Sequence, residues 1–218
     1  FQQLRDEYPL HRDAMFTLLS MDMEFMGAGK SINSYYTQLV ELAEIRADKK
    51  DYAITFIAAD PRRPDMMSKI HEFINLRGFT GIKLYPPLGY YPFDPKLLPV
   101  YQFAVSQDIP IMTHCDPGGI YYRGTLSHEH LKPSSMYAGA SARDYTGHQN
   151  RDRDEFCDLF TAPDNYHDVL NTPGLENLKI CLAHYGSAKP DFTDLRGIKW
   201  YDEIKKLMLS YKNVYTDI

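Results

Sequence analysis

Residues 78–119 read GFTGIKLYPPLGYYPFDPKLLPVYQFAVSQDIPIMTHCDPGG, and the order of elements within them decides the fold. Residues 79–87 (FTGIKLYPP) form an apolar run broken by Pro86 and Pro87, and they predict a strand. Residues 96–108 predict a helix, and residues 109–119 (IPIMTHCDPGG) a second strand that stops in a turn. Both strands are apolar along their length rather than alternating. Such strands are buried on both faces, as in a parallel sheet covered by helices.

The same alternation extends in both directions. Upstream, residues 14–22 (AMFTLLSMD) predict a strand. A helix is expected over 31–49, with Ser31 as its N-cap and Tyr35, Leu39, Leu42 and Ala43 at helical spacing. YAITFIAADP (52–61) is another strand, ended by Asp60 and Pro61. Pro64 then opens a helix whose stripe is Met66, Met67, Ile70, Phe73 and Ile74, stopped by Gly78. Downstream lie the strand LKICLAHYGS (178–187), a helix over 201–211 and a last strand, NVYTDI (213–218). Outside one long interruption the strands recur every ~30–40 residues, the spacing of βα units. Six strands permit an open doubly wound sheet or an incomplete eight-stranded barrel. The segment GAGKS (27–31) ends like a phosphate-binding loop, but Glu24 stands where its first glycine belongs, so it is read as a chance match.

The chain has 218 residues, 44% hydrophobic and 24% charged, enough for one large core. A formal net charge of -5 argues against nucleic acid or an anionic membrane as partner. No apolar run approaches the roughly 20 residues that span a bilayer. Three dispersed cysteines (Cys115, Cys157, Cys181) suit free thiols in a reducing, cytoplasmic setting better than a disulfide frame. Phe1 opens the chain and NVYTDI ends it in mid-strand, so the sequence is read as an excerpt of a longer protein.

Residues 118–163 break the rhythm. They are polar and tyrosine-rich, contain SHEH and the charge run RDRDE, and follow the carboxyl end of a strand. The stretch is read as an insertion that covers the active site or selects substrate, with Tyr121, Tyr122, Tyr137 and Tyr145 equally able to meet a second subunit of a homo-oligomer. His128 and His130 form an H-x-H pair within it. That spacing shares one face only on an extended strand, so they are read as loop histidines within reach of substrate.

Two strands end in histidine, His114 and His184, each followed at once by a turn. A buried strand that delivers an imidazole at its carboxyl end places it on the reactive face of an α/β barrel. One such histidine would be read as a core residue; two on successive strands are read as a site for metal ligation or proton transfer. Lys83 lies within an apolar strand, where a charge is costly unless it faces a polar centre. Binding an anionic substrate group and a structural ion pair are equally compatible readings, and a carboxylated metal bridge is less so; Tyr85 lies beside it. Asp60 and Asp116 each precede a proline and are read as turn formers.

The stretch 78–119, with G-F-T-G-I-K-L-Y-P and P-I-M-T-H, resembles the amidohydrolase-related family of metal-dependent barrels, as does ENLKICLAHYGS. FIAADPRRP and KNVYTDI resemble its flanking strands. The resemblance implies a TIM-type (β/α)8 barrel of which strands two to seven are visible, forming a single domain over 1–218. It implies that His114 is a metal ligand on the fifth barrel strand and that His184, on the sixth, is the catalytic proton handler. Lys83, Tyr85, His128 and His130 become candidate substrate contacts. The family's H-x-H on its first strand has no counterpart, since His11 has no second histidine, and Asp217 lies on the seventh strand rather than the eighth.

The expectation is therefore a metal-dependent hydrolase, with a divalent metal expected to be zinc, acting on a small organic acid, lactone or amide. The alternatives are a decarboxylase of the aminocarboxymuconate-semialdehyde decarboxylase type, and a non-catalytic barrel that has lost its metal site.

Overall fold

The computed structural model describes residues 3, 6, 7, 14–187 and 189–217. Six strands form one sheet: β1 (Phe16–Leu19), β2 (Ala53–Ala58), β3 (Gly81–Leu84), β4 (Ile111–His114), β5 (Ile180–Ala183) and β6 (Val214–Thr216). Each pairs in parallel with the next strand in sequence. A doubly wound sheet would break this order at a switch point, whereas a barrel wall keeps it. The six strands are consecutive staves of a TIM-type barrel. Position 11, where the sequence offered a single histidine, lies outside the described residues.

Helices α1 (Tyr35–Asp48), α2 (Met66–Arg77) and α3 (Leu98–Ser106) return the chain between the first four strands. Helix α1 starts later than its sequence suggests. The Ser31 hydroxyl is spent on the Asn33 carbonyl, while Ser34 accepts from the Thr37 N–H and caps the first turn. Helix α2 ends as expected at Gly78, whose φ of 77° closes a left-handed cap that a side chain would strain.

Between β4 and β5 run α4 (His128–Leu131), α5 (Arg153–Thr161) and α6 (Tyr166–Leu170), and α7 (Trp200–Ser210) precedes β6. Here the structure departs from the sequence reading. The charge run 151–155 is the cap and first turn of α5, with Asp152 accepting from the Asp154 and Glu155 N–H groups. Phe156, Cys157, Leu159 and Phe160 behind it are buried in the main core. Polar residues at a helix start masked an apolar helix body. Among the described residues, no helix is long and apolar enough to cross a membrane.

Register explains where polarity sits. Ile57, Ile82, Ile111, Ile180 and Val214 fall in one row across β2 to β6 and join a cluster with Leu39, Ile70, Phe73, Val100, Ile204 and Leu207. Each such side chain contributes about 1.5–3 kcal/mol by leaving water. The next row, Ala58, Lys83, Met112, Cys181 and Tyr215, points to the opposite face. Lys83 there is only 4% exposed. Burial pushes its ammonium down to about 8, against the pull of the Asp217 carboxylate toward the charged form.

This placement carries a stability cost of known sign. An unfolded lysine stays protonated to about pH 10.5, so the folded chain bears the full penalty below about pH 8 and is relieved of it as pH rises toward 10.5. Lys83→Met is expected to stabilise the fold by on the order of 2 kcal/mol at pH 7, and by little near pH 10.5. Urea unfolding at both pH values measures this; equal or lower stability at pH 7 would show that Lys83 holds the fold together.

Candidate active site

His114 is the last residue of β4 and shares the face of Met112 and Lys83. It is 8% exposed. The Tyr85 ring stacks on it at 4.5 Å between centroids and 26° between planes. Its Nε2 lies 3.3 Å from the Gly118 carbonyl, and Thr161 Oγ1 donates to its backbone carbonyl. Burial, reinforced by the charges of Lys83 and His184, depresses the imidazole to about 4. His114 is therefore neutral at pH 7, the form that presents a lone pair to a metal.

His184 reaches the same place by a different route. Ala183 is paired with His114, so simple strand alternation would send His184 to the helix-covered side. Instead the backbone turns through left-handed values at His184 (φ 71°) and Tyr185 (φ 45°). Such values cost non-glycine residues about 1–2 kcal/mol each. The Asp217 carboxylate accepts from the His184 backbone N–H, and Tyr185 packs edge-on against Tyr201 at 4.5 Å. The outcome is an exposed imidazole whose ring centre is 5.1 Å from that of His114, at 66°. Strain of this kind concentrates at functional positions.

The structure also brings Lys83 and Tyr85 to this centre. Lys83 Nζ is 6.0 Å from the Tyr85 ring centre, and its charge is felt at His114. The Tyr85 hydroxyl accepts from the Ile120 N–H at 3.2 Å. Asp60 behaves as the turn former expected, accepting from the Arg62 N–H, and its carboxylate also grips the Arg62 guanidinium at 2.6 and 2.9 Å. Arg62 donates onward to the Phe25 and Leu88 carbonyls, tying three strand-end loops together.

His128 and His130 lie elsewhere, on the single turn of α4 rather than in irregular loop. His130 Nδ1 accepts from the Ser127 N–H at 2.8 Å, Nε2 lies 3.2 Å from the Gly89 carbonyl, and the ring stacks on Tyr122. Both histidines line a pocket of about 420 Å³ with Arg62, Tyr91, Lys96 and Lys132. Lys83, Tyr85, His114 and His184 are not among the residues that line it.

Among the described residues, no three His, Cys, Asp or Glu side chains converge tightly enough to hold a metal ion. The donor chemistry fits a metal at His114, with the His184 ring beside it, and does not complete a coordination sphere. Asp217 was not singled out as a site residue from sequence. Its signal was strand parity: it shares a face with Tyr215, in the Lys83 row. Asp158 gave no signal, because it lies in the segment read as insertion; Tyr121, expected there to meet substrate or a second subunit, instead donates to the buried Asp158 carboxylate.

Several solved structures share this fold. One is an uncharacterized TIM-barrel protein from Bordetella bronchiseptica, 14% identical, with a TM-score of 0.58 over 99% of this chain and 58% of that one. A 4-oxalomesaconate hydratase from Rhodopseudomonas palustris is 15% identical, with a TM-score of 0.51 over 99% of this chain and 57% of its own. A 5-carboxyvanillate decarboxylase from Novosphingobium aromaticivorans, with bound manganese, is 14% identical, with a TM-score of 0.54 over 85% and 50% of the two chains. The chain thus spans less than two thirds of each of these proteins. No curated protein sequence matches it significantly. Residues 3–218, with their parallel staves and strand-end histidines, match the family model described as amidohydrolase, and the chain belongs to the amidohydrolase family.

Proposed function

We propose that this chain carries the central part of the active site of a metal-dependent enzyme that hydrolyses or decarboxylates a small organic acid. The observation that supports it most is the His114–His184 pair, two imidazoles 5.1 Å apart at neighbouring strand ends. A divalent metal, when bound, would supply Lewis-acid activation of water or substrate. His114 would hold it with a neutral ring nitrogen. The exposed ring of His184 would take up and return a proton at the reacting group, kept in place by its strained backbone and Asp217. Residues 118–163 would cover this face and select substrate.

Lys83 favours an acid as substrate. A buried ammonium that is mostly protonated at pH 7 offers a carboxylate a desolvated partner, and Tyr85 flanks the approach. Two of the similar structures are named for acid-transforming activities, a hydratase and a decarboxylase with manganese, which supports the acid class and leaves the reaction open. Manganese thereby stands beside zinc as the metal to test.

The test uses the full-length protein. His114→Ala is expected to lower metal occupancy at least tenfold, measured by elemental analysis after dialysis. His184→Asn is expected to retain metal while turnover of a carboxylic-acid panel falls ~10²–10⁴-fold. Unchanged metal content and turnover in both variants would contradict the assignment, and a wild-type protein with neither metal nor turnover would mark a scaffold. Lys83→Met is expected to raise KM for acids at least tenfold while leaving metal content intact. An unchanged KM would remove Lys83 from the substrate site.

A further inference from the structure

We infer that Asp158 is a positioning residue for His114, acting through the Tyr121 hydroxyl and the backbone of Gly118. The inference rests on the reading of His114 as a metal ligand only for one arm of its test.

The segment after β4 turns back over the histidine that ends the strand. Gly118 and Gly119 both hold left-handed backbone, with φ of 106° and 99°. A Cβ at Gly119 would lie 2.3 Å from the Tyr85 hydroxyl oxygen and 3.5 Å from His114 Nε2, so only glycine fits this strap. The strap is fastened at two points. Ile120 N–H donates to the Tyr85 hydroxyl at 3.2 Å, and Gly118 N–H donates to the Tyr121 hydroxyl at 2.5 Å. Tyr121 in turn donates to Asp158 Oδ1 at 2.5 Å. The carbonyl of the same Gly118 lies 3.3 Å from His114 Nε2. Hydrogen bonds on either side of the Gly118 backbone therefore link a carboxylate on α5 to the imidazole ring.

Asp158 has no evident structural reason to be charged. It is 9% exposed, and the charges that face it, Asp154 and Asp194, are of its own sign. Burial pushes its carboxyl up to about 6, opposed by the Tyr121 and Gly118 donors. An apolar residue would pack into α5 at less cost, whereas an acceptor is needed to orient the Tyr121 hydroxyl. Three residues on, Thr161 binds the His114 backbone carbonyl from the same side of the helix. Helix α5 thus holds His114 twice, at its backbone directly and at its ring through the strap.

The consequence concerns which ring nitrogen carries the proton. A neutral imidazole has one N–H; the Gly118 carbonyl beside Nε2 draws it there, in competition with the Asp116 backbone, which also bonds the ring. With the strap fastened, Nε2 is engaged; with it released, Nε2 can present its lone pair. The latch sets that balance.

The test compares Asp158→Ala, Asp158→Asn, Tyr121→Phe and the Asp158→Ala/Tyr121→Phe double variant in the full-length protein. In chelator-stripped samples, ¹⁵N NMR of the His114 ring reads the tautomer ratio, and titration with manganese reads affinity. Tyr121→Phe and Asp158→Ala are each expected to shift the tautomer away from Nε2–H and to tighten manganese binding about three- to tenfold. The double variant should add nothing further. Asp158→Asn keeps an acceptor and should keep wild-type values. A tautomer ratio that Tyr121→Phe leaves unchanged, or an Asp158→Asn variant that matches Asp158→Ala, would overturn the inference. Tyr121→Phe is isosteric and carries the test alone if Asp158→Ala does not fold. Manganese binding that is indifferent to His114→Ala would refute the ligand reading, while the tautomer measurement would still judge the latch.

Discussion

The row of Ile57, Ile82, Ile111, Ile180 and Val214 is the constraint on which the rest depends. Its burial under the helices fixes the register of five strands, because a slip of one residue would turn these side chains inward. Once that row is set, alternation sends Lys83, Met112 and Cys181 to the inner face, with Tyr85 and His114 one step further along. Lys83, Tyr85 and His114 therefore meet one another on that face. The chemistry of the site thus follows from the packing of the opposite face.

His184 shows the limit of that logic. The register alone would place its ring among the helices. Two left-handed residues in succession re-aim it, and the Asp217 carboxylate holds the backbone N–H that the kink exposes. The Lys83 ammonium and the Asp217 carboxylate influence each other across the same inner face. Burial, strain and charge converge on a few residues contributed by four strands, β3 to β6, and the fold bears the cost of each. That concentration separates a site from an ordinary cluster of core histidines.

Much of this was legible in the chain. The strands announced themselves as apolar runs ended by Asp-Pro or Gly, and both histidines could be placed at strand ends because a turn follows each. The unbroken strand order could not be read, since spacing alone leaves barrel and doubly wound sheet equally open. Helix α5 was hidden by its own charged first turn, and with it Asp158 and Thr161, which hold His114 from behind. The kink at His184 had little sequence signal: histidine enters left-handed backbone more readily than most side chains, but the bulky Tyr185 beside it does not. His128 and His130 read from sequence as loop histidines within reach of substrate; they lie on a helical turn and line a pocket that His114 and His184 do not.

The central claim is that His114 and His184 belong to one metal-dependent site on the carboxyl-end face of the sheet. Anomalous scattering from crystals of the full-length protein equilibrated with manganese addresses it most directly. The account predicts one dominant peak bonded to a ring nitrogen of His114, with the His184 ring facing it. A dominant peak in the His128–His130 pocket, or no peak near His114 at saturating manganese, would contradict it.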